Sequence, residues 1–361
     1  MERMESTSGL LNLMIQPAFT VKNGKVELVN EAARKYLIEP GTAVSDLLRT
    51  GEIEYCDLEE GCLYLTVLVA GIQCGASVRR MEDFDLFTLE QEDDRSELQA
   101  MALAAQELRS PLSNVMTVAD QLFPVTDEES DPAVKDQISK INRGLFQMLR
   151  IISNMSDAYR YSQQLEPRLS MHNITEVVAE IFEQAATLLR HGNIELEFTN
   201  LNQPAFSLAD KEKLERAIFN MLSNAVKFSN KGGHIRAGLT RRNNMLYLSV
   251  EDCGAGINPE LQGDVHARFR RQPRLEDRRF GIGLGIVLIR SAAATHGGTV
   301  LIDHPDGCGT RITMSMAIQQ NDETVVRSSG LQVDYAGERN HCLIEFSEVL
   351  PAFVYESDKI N

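Results

Sequence analysis

Residues 219–229 read FNMLSNAVKFS, and they decide the fold once their neighbours are read with them. The stretch closes a helical pattern near Lys211–Phe228, which Asp210 can cap. Asn220, Asn224 and Lys227 stand at i, i+4 and i+7, so they line one face of that helix. Asparagine offers an oxygen suited to Mg2+ or its waters, and lysine a point charge for phosphate. An asparagine pair on a helix also suits a plain solvated face, so the stretch needs partners. Downstream, two alternating strands, His234–Thr240 and Met245–Val250, are joined through Asn243-Asn244. They run into Glu251-Asp252-Cys253-Gly254-Ala255-Gly256-Ile257. Glycines there permit close backbone approach, and Asp252 at a strand end can accept a hydrogen bond from an exocyclic amine. Further on, Gly281-Ile282-Gly283-Leu284-Gly285-Ile286 opens a helix spanning about Leu284–His296. Bare backbone N–H groups at a helix N-terminus make an anion site. An irregular loop precedes these glycines, unlike the strand of a βαβ dinucleotide fold. Strands at Thr299–Asp303 and Thr310–Met316 follow, the second entered through Gly307-Cys308-Gly309-Thr310. With a helix near Ile174–Arg190 and a strand at Ile194–Thr199, residues 168–318 form an α+β section.

Each motif alone is weak; their order is not. Asn helix, D-x-G-x-G, G-x-G-x-G helix and G-x-G-T together resemble the ATP-binding domain of sensor histidine kinases, the Bergerat-type α/β sandwich also seen in DNA gyrase. FNMLSNAVKFS looks like the N box, EDCGAGI the G1 box, FGIGLGIVLIRSAAATHGGTV the G2 box, and ARFRR around Phe269 the F box. The resemblance implies that Asn224 holds Mg2+, that Asn220 and Lys227 contact phosphate or metal, and that Asp252 binds the adenine amine. It implies that Gly254 and Gly256 shape the adenine pocket, that Gly281, Gly283, Leu284 and Gly285 carry the phosphates, and that Thr310 supports the adenine side.

Periodicity defines residues 95–164. Met101, Ala105, Leu108, Leu112, Val115, Ala119 and Leu122 alternate spacings of four and three, as do Val134, Ile138, Ile141, Leu145, Met148, Ile152, Met155 and Tyr159. Between them lie Phe123-Pro124-Val125-Thr126 and an acidic turn; Asp131 can cap the second helix, with Pro132 at its first position. Two long helices alone bury little. A dimeric four-helix bundle is the natural completion; a hairpin packed on another domain of its own chain is the alternative.

The kinase family places its dimerisation and phosphoacceptor hairpin at this point, with the motif His-Glu-Leu-Arg-(Ser/Thr)-Pro-Leu. Here it reads Gln106-Glu107-Leu108-Arg109-Ser110-Pro111-Leu112. Gln106, Glu107 and Ser110 thus occupy the catalytic positions, with glutamine where the acceptor histidine belongs. A glutamine amide is not nucleophilic. The seven histidines, at 172, 191, 234, 266, 296, 304 and 341, all lie beyond the hairpin. Gln106 is either native to a degenerate kinase or a deliberate substitution.

In residues 7–90, FTVKNGKVELVNEAARKYL pairs two short strands across Asn23-Gly24, a dipeptide suited to a type I′ turn, and Asn30 then caps a helical stretch, Glu31–Leu37. Strand-like runs follow at Cys62–Ala70, Ser77–Met81 and Asp85–Leu89. This pattern resembles a PAS sensory domain. Residues 319–361 carry strand-like runs at Leu331–Tyr335 and His341–Phe346 and no recognisable role.

Composition bounds the reading. The 361 residues hold 36 basic and 52 acidic side chains, a net charge of −16 that argues against nucleic acid and against anionic lipid. Most of the excess acid lies before residue 95. The basic exception is the stretch from His266 to Arg279, with six arginines against Glu276 and Asp277, placed beside the glycine loop. The longest charge-free run, Cys62–Val78, is too polar to span a membrane, and no signal-peptide pattern opens the chain. Six cysteines without C-x-x-C spacing suit reduced thiols.

The expectation is therefore a multidomain α+β, cytoplasmic protein: a PAS-like sensor at 7–90, a hairpin at 95–164 forming a homodimer, an ATP-binding domain at 168–318, and an extension at 319–361. Its implied function is protein-histidine kinase of a two-component system, using ATP and Mg2+, with the receiver domain of a response regulator as partner. The alternative is a catalytically degenerate scaffold that sequesters a response regulator or pairs with a partner histidine kinase. A serine kinase of the anti-sigma type would share the ATP domain, but the heptad hairpin counts against it.

Overall fold

The computed structural model describes residues 9, 11–90, 93–122, 132–162, 167–229, 233–254, 284–305, 309–319 and 340–356. Strands β1 (Ala18–Lys22) and β2 (Lys25–Val29) meet at Asn23-Gly24, whose φ angles of 51° and 73° are those a type I′ turn requires. Asn30 then does two jobs. Its Oδ1 accepts from the Ala33 amide at 2.9 Å, capping α1 (Glu31–Arg34), and from the Ala18 amide at 3.0 Å, fixing the start of β1. The helix expected to reach Leu37 stops at Arg34, because Leu37 turns into the left-handed region at φ 57°. Short helices α2 (Val44–Leu47) and α3 (Glu52–Cys56) lead to β3 (Cys62–Val69), β4 (Ile72–Arg80) and β5 (Asp85–Leu89). These strands order as β2-β1-β5-β4-β3, over a core in which Phe19 stacks on Phe87 at 4.9 Å.

Helices α4 (Asp93–Leu122) and α5 (Pro132–Ser162) lie side by side. Their four-three spacing resolves into rows seven residues apart. Ala105, Leu112 and Ala119 of α4 and Leu145 and Ile152 of α5 are buried within the chain. The other row, Leu108 and Val115 with Val134, Ile141 and Met148, stays about half exposed. The connection at 123–131, including the Asp131 cap, lies outside the described residues.

The next unit runs β6 (Ser170–Asn173), α6 (Ile174–Leu189), β7 (Glu195–Thr199), β8 (Phe206–Ala209), α7 (Lys211–Phe228), β9 (His234–Arg242), β10 (Met245–Asp252), α8 (Leu284–Thr295), β11 (Val300–Asp303) and β12 (Thr310–Ala317). Its sheet orders as β11-β12-β10-β9-β7, with only the β7/β9 pair parallel. Burial alternates along β10, so Leu246, Leu248, Val250 and Asp252 turn to the covered face. Against it pack α6, α7 and α8, through side chains such as Phe182, Phe219, Leu222 and Ile289. Each such buried side chain contributes roughly 1.5–3 kcal/mol. The short pair β6/β8 stands apart as a second sheet that the residue pattern did not announce.

The N-terminal sheet β2-β1-β5-β4-β3 and the sheet β11-β12-β10-β9-β7 are one. Strand β3 pairs antiparallel with β11, setting Tyr64 opposite Val300 and Cys62 opposite Ile302, so ten strands run continuously from β2 to β7. Gly61 makes this approach possible: at φ 96°, a Cβ there would stand 2.3 Å from the Ile302 carbonyl oxygen.

The last described residues correct the sequence reading. His341–Phe346 is not a strand. His341–Glu345 forms a short helix, α9, with Asn340 as its cap: the Asn340 Oδ1 accepts from the Leu343 amide at 3.3 Å. Cys342, Leu343, Ile344 and Phe346 are all buried, which an alternating surface strand does not allow. A 3-10 turn at Ala352–Tyr355 follows. Leu331–Tyr335 lies outside the described residues. Among the described residues no helix is long and apolar enough to cross a membrane, and no disulfide is formed.

Candidate functional site

Helix α7 starts where the sequence places it. The Asp210 carboxylate accepts from the Lys213 amide at 3.2 Å. The Asp210 amide itself donates to His296 Nε2 at 3.0 Å, while His296 Nδ1 donates to the Ala292 carbonyl at 2.7 Å. His296 therefore ties the end of α8 to the start of α7, and burial lowers its affinity for a proton. The two helices pack side by side, which sets Gly285, at the start of α8, against the middle of α7. A Cβ at Gly285 would stand 3.0 Å from Asn220 Oδ1 and 3.6 Å from Asn224 Nδ2.

Asn220 is 1% exposed, and its Nδ2 donates to the Arg216 carbonyl at 2.8 Å. Its Oδ1 has no hydrogen-bond partner among the described residues. A buried acceptor left open costs about 1–3 kcal/mol, and an oxygen of this kind suits a hard divalent cation or its water shell.

Asp252 ends β10, buried and in register with Thr310 of β12. Its Oδ1 accepts from the Gly254 amide at 2.8 Å. Burial pushes its carboxyl up, and the backbone amides of Gly254 and Thr310 pull it back. At two positions beside it there is no room for a side chain. At Gly309, φ is 70° and a Cβ would lie 1.9 Å from the Asp252 carbonyl oxygen; at Gly254 a Cβ would lie 2.1 Å from the Phe228 carbonyl oxygen. The last contact seats the D-x-G turn on the C-terminal end of α7, one turn beyond Asn224. The structure thus brings Asn220, Asn224, Asp252, Gly254, Gly285 and Thr310 to one end of the sheet and the facing half of α7.

Other expected site residues stand elsewhere. The Lys227 Nζ lies 3.0 Å from Glu348 Oε2, engaged by the C-terminal segment. The Leu284 side chain is buried against Leu98 and Ala158 of the hairpin, so only its backbone is left to the site. Gln106, Glu107 and Ser110 are exposed on α4. Gly256, Phe269, Gly281, Gly283 and the arginine-rich 266–279 stretch lie outside the described residues.

Sequence reasoning missed a buried ionic cluster behind α7. Arg216 is fully buried, 3.0 Å from Asp157 Oδ2 of α5, and donates to Asn154 Oδ1 at 2.6 Å. Arg150 of α5 pairs with Glu345 and Glu348, each at 3.0 Å, and donates to Ser223 Oγ. The available signal was Glu345 and Glu348 inside the apolar run CLIEFSEVL.

Residues 209–320 match the family described as histidine kinase-, DNA gyrase B-, and HSP90-like ATPase. This segment is a histidine-kinase-type ATPase domain. Over about three fifths of its length the chain is similar to histidine kinases. It is 27% identical over 235 residues to hybrid signal transduction histidine kinase D of Dictyostelium discoideum, covering 63% of this chain and 15% of that protein. It is 25% identical over 224 residues to sensor histidine kinase RppB of Synechocystis sp., covering 61% of this chain and 49% of the relative. The chain thus spans less than half the length of these relatives. Full-length ShkA, solved in complex with AMPPNP, superposes with a TM-score of 0.50 at 20% identity, over 62% of this chain and 46% of that one. That likeness is one of fold.

Proposed function

We propose that this protein binds Mg-ATP in its histidine-kinase-type ATPase domain and works in two-component signalling, with its own autophosphorylation blocked at Gln106. The open Oδ1 of buried Asn220, held against Gly285, carries the nucleotide half of this reading. Asn224 and Asn220 are the residues that would hold Mg2+ and its waters, and the ion would neutralise phosphate charge. Asp252, fixed by two backbone amides, accepts the adenine amine, and Thr310 flanks it. The start of α8 offers backbone N–H groups at Gly285 to phosphate. Gly256, Phe269, Gly281 and Gly283 belong to the same proposal through their motifs.

The N-terminal sheet, with its order β2-β1-β5-β4-β3, is read as a PAS-like sensory unit. The exposed heptad row on α4 and α5 is read as the face on which a second copy completes a four-helix bundle. In the family's chemistry the γ-phosphoryl passes to a histidine and then to a response regulator. Glu107 stands ready to orient an imidazole at position 106, but the amide of Gln106 supplies no nucleophile. That exposed glutamine favours the second reading: an ATP-binding scaffold that dimerises with a partner kinase or sequesters a response regulator.

Calorimetry tests the nucleotide half. The full chain is expected to bind ATP only with Mg2+. Asp252→Asn keeps an oxygen for the Gly254 amide but loses a charge-assisted bond worth roughly 1.5–3 kcal/mol, so its affinity should fall about 10- to 100-fold. Absence of ATP heat from the wild-type chain with Mg2+ overturns the reading.

A further inference from the structure

The C-terminal segment lies across two parts of the molecule at once. On the hairpin side, α5 holds its backbone: Asn142 donates to the Tyr355 carbonyl at 3.0 Å, Arg143 to the carbonyls of Ser347 and Glu348, each at 2.9 Å, and Gln147 to Ser347 at 2.9 Å. Tyr355 meets Phe146 of α5 edge-on at 5.3 Å. On the ATPase side, Phe346 meets Phe219 of α7 edge-on at 5.8 Å. Between them Glu345, fully buried, faces Arg150 of α5 at 3.0 Å and Arg216 of α7 at 3.9 Å. A buried carboxylate left alone is costly, so this segment is held in place by charge as well as by apolar contact.

Glu348 lies where this strap reaches the face of α7 that carries Asn220 and Asn224. One carboxylate oxygen, Oε2, stands 3.0 Å from Lys227 Nζ and 3.0 Å from Arg150 Nη1. Burial alone would push the Glu348 carboxyl up; Arg150 and Lys227 outweigh it and hold it below the usual range. The carboxylate is therefore charged at neutral pH and cancels the positive charge of Lys227.

We infer that residues 340–356 form an autoinhibitory strap. Glu348 occupies Lys227 in place of a nucleotide phosphate, so phosphate and strap compete for one ammonium group. The strap also anchors the ATPase domain to α5, so release of Glu348 by nucleotide loosens the grip between domain and hairpin. This rests on the nucleotide reading above. It adds a coupling that must be reciprocal: whatever the strap takes from nucleotide affinity, nucleotide takes from strap affinity.

The test uses the full chain and Mg-ATP. Glu348→Gln keeps the shape of the side chain and removes its charge. It is expected to bind Mg-ATP about fivefold more tightly than wild type, as a modest coupling predicts. In a Lys227→Gln background the same change should bring no gain, because its target is gone. Hydrogen exchange on the unaltered chain gives an independent readout: saturating Mg-ATP should speed exchange at the amides of residues 345–355. Equal or weaker binding by Glu348→Gln, a gain that persists without Lys227, or exchange unchanged by nucleotide each overturns the strap. Binding by neither wild type nor Glu348→Gln overturns the nucleotide reading and the strap with it.

Discussion

Helices α7 and α4 each carry a polar motif of the kinase type, and they treat it in opposite ways. On α7, Asn220 is 1% exposed, one amide nitrogen bonded to its own helix, and the helix is pinned at its start by Asp210 and His296. Neighbouring positions Ala217, Ile218, Phe219, Met221 and Leu222 are all core. On α4, Gln106, Glu107 and Ser110 are exposed, and only Ala105 beside them is buried. A motif built into a core is coupled to the fold. A motif on a solvent face can lose its reactive residue while the fold stays as it was. On the function proposed above, glutamine at position 106 is a local change on a solvent face, and the packing of the ATPase half does not depend on it.

Restoring the nucleophile should break that contrast most sharply. Gln106→His is expected to take the protein from no label to acid-labile 32P after mixing with Mg-ATP, with an unchanged thermal midpoint because position 106 is exposed. Label on the unaltered chain would reveal another acceptor, and an unlabelled variant that still binds ATP would favour the scaffold. Next in size is the outer row of the hairpin. Leu108→Glu with Ile141→Glu should convert a dimer into a monomer at micromolar concentration by light scattering, because both side chains, about half exposed now, would be buried by a second copy. A monomeric wild type would sink the bundle.

The smallest effect concerns pH. His296 is buried neutral, donating from Nδ1 and accepting at Nε2, so a second proton would set N–H against the Asp210 N–H. Its proton affinity is lowered in the folded protein. The unfolded chain thus binds more protons as pH falls, and the contribution of His296 is present above its ordinary value of 6.5 and lost as pH falls through the lower folded one. Urea unfolding from neutral to mildly acidic pH should weaken the wild type more than His296→Gln. Equal losses would place the acid sensitivity elsewhere.

Local signals in the sequence carried far. Asn23-Gly24 announced its turn, Asn30 and Asp210 their caps, and the helical periods of α4 and α5 their length. The polar face of α7 and Asp252 behind its strand were readable because spacing and turn glycines are written locally. What escaped depends on distant or very short elements. Four-residue strands such as β6 and β8 hold too few alternations to register. Which apolar row of α4 turns inward depends on α5. His341–Phe346 looked strand-like because its apolar residues are consecutive, and only its contacts with α5 and α7 make it a helix. Lys227 was placed by its spacing from Asn224, yet its partner here is Glu348, 121 residues away.

The seam between β3 and β11 has a consequence for how the chain is made. Cys62–Tyr64 must wait for Val300–Ile302, about 240 residues later, before its edge is covered. At ~5–20 residues per second of synthesis, that wait lasts roughly 12–50 s. Throughout it the strand CLYLTVLV offers unpaired backbone groups along an apolar run, a template for any passing strand. Long-range pairing of this kind is slow as well as late. The nascent chain therefore depends on remaining unaggregated through an interval that an independently closed N-terminal sheet would not have.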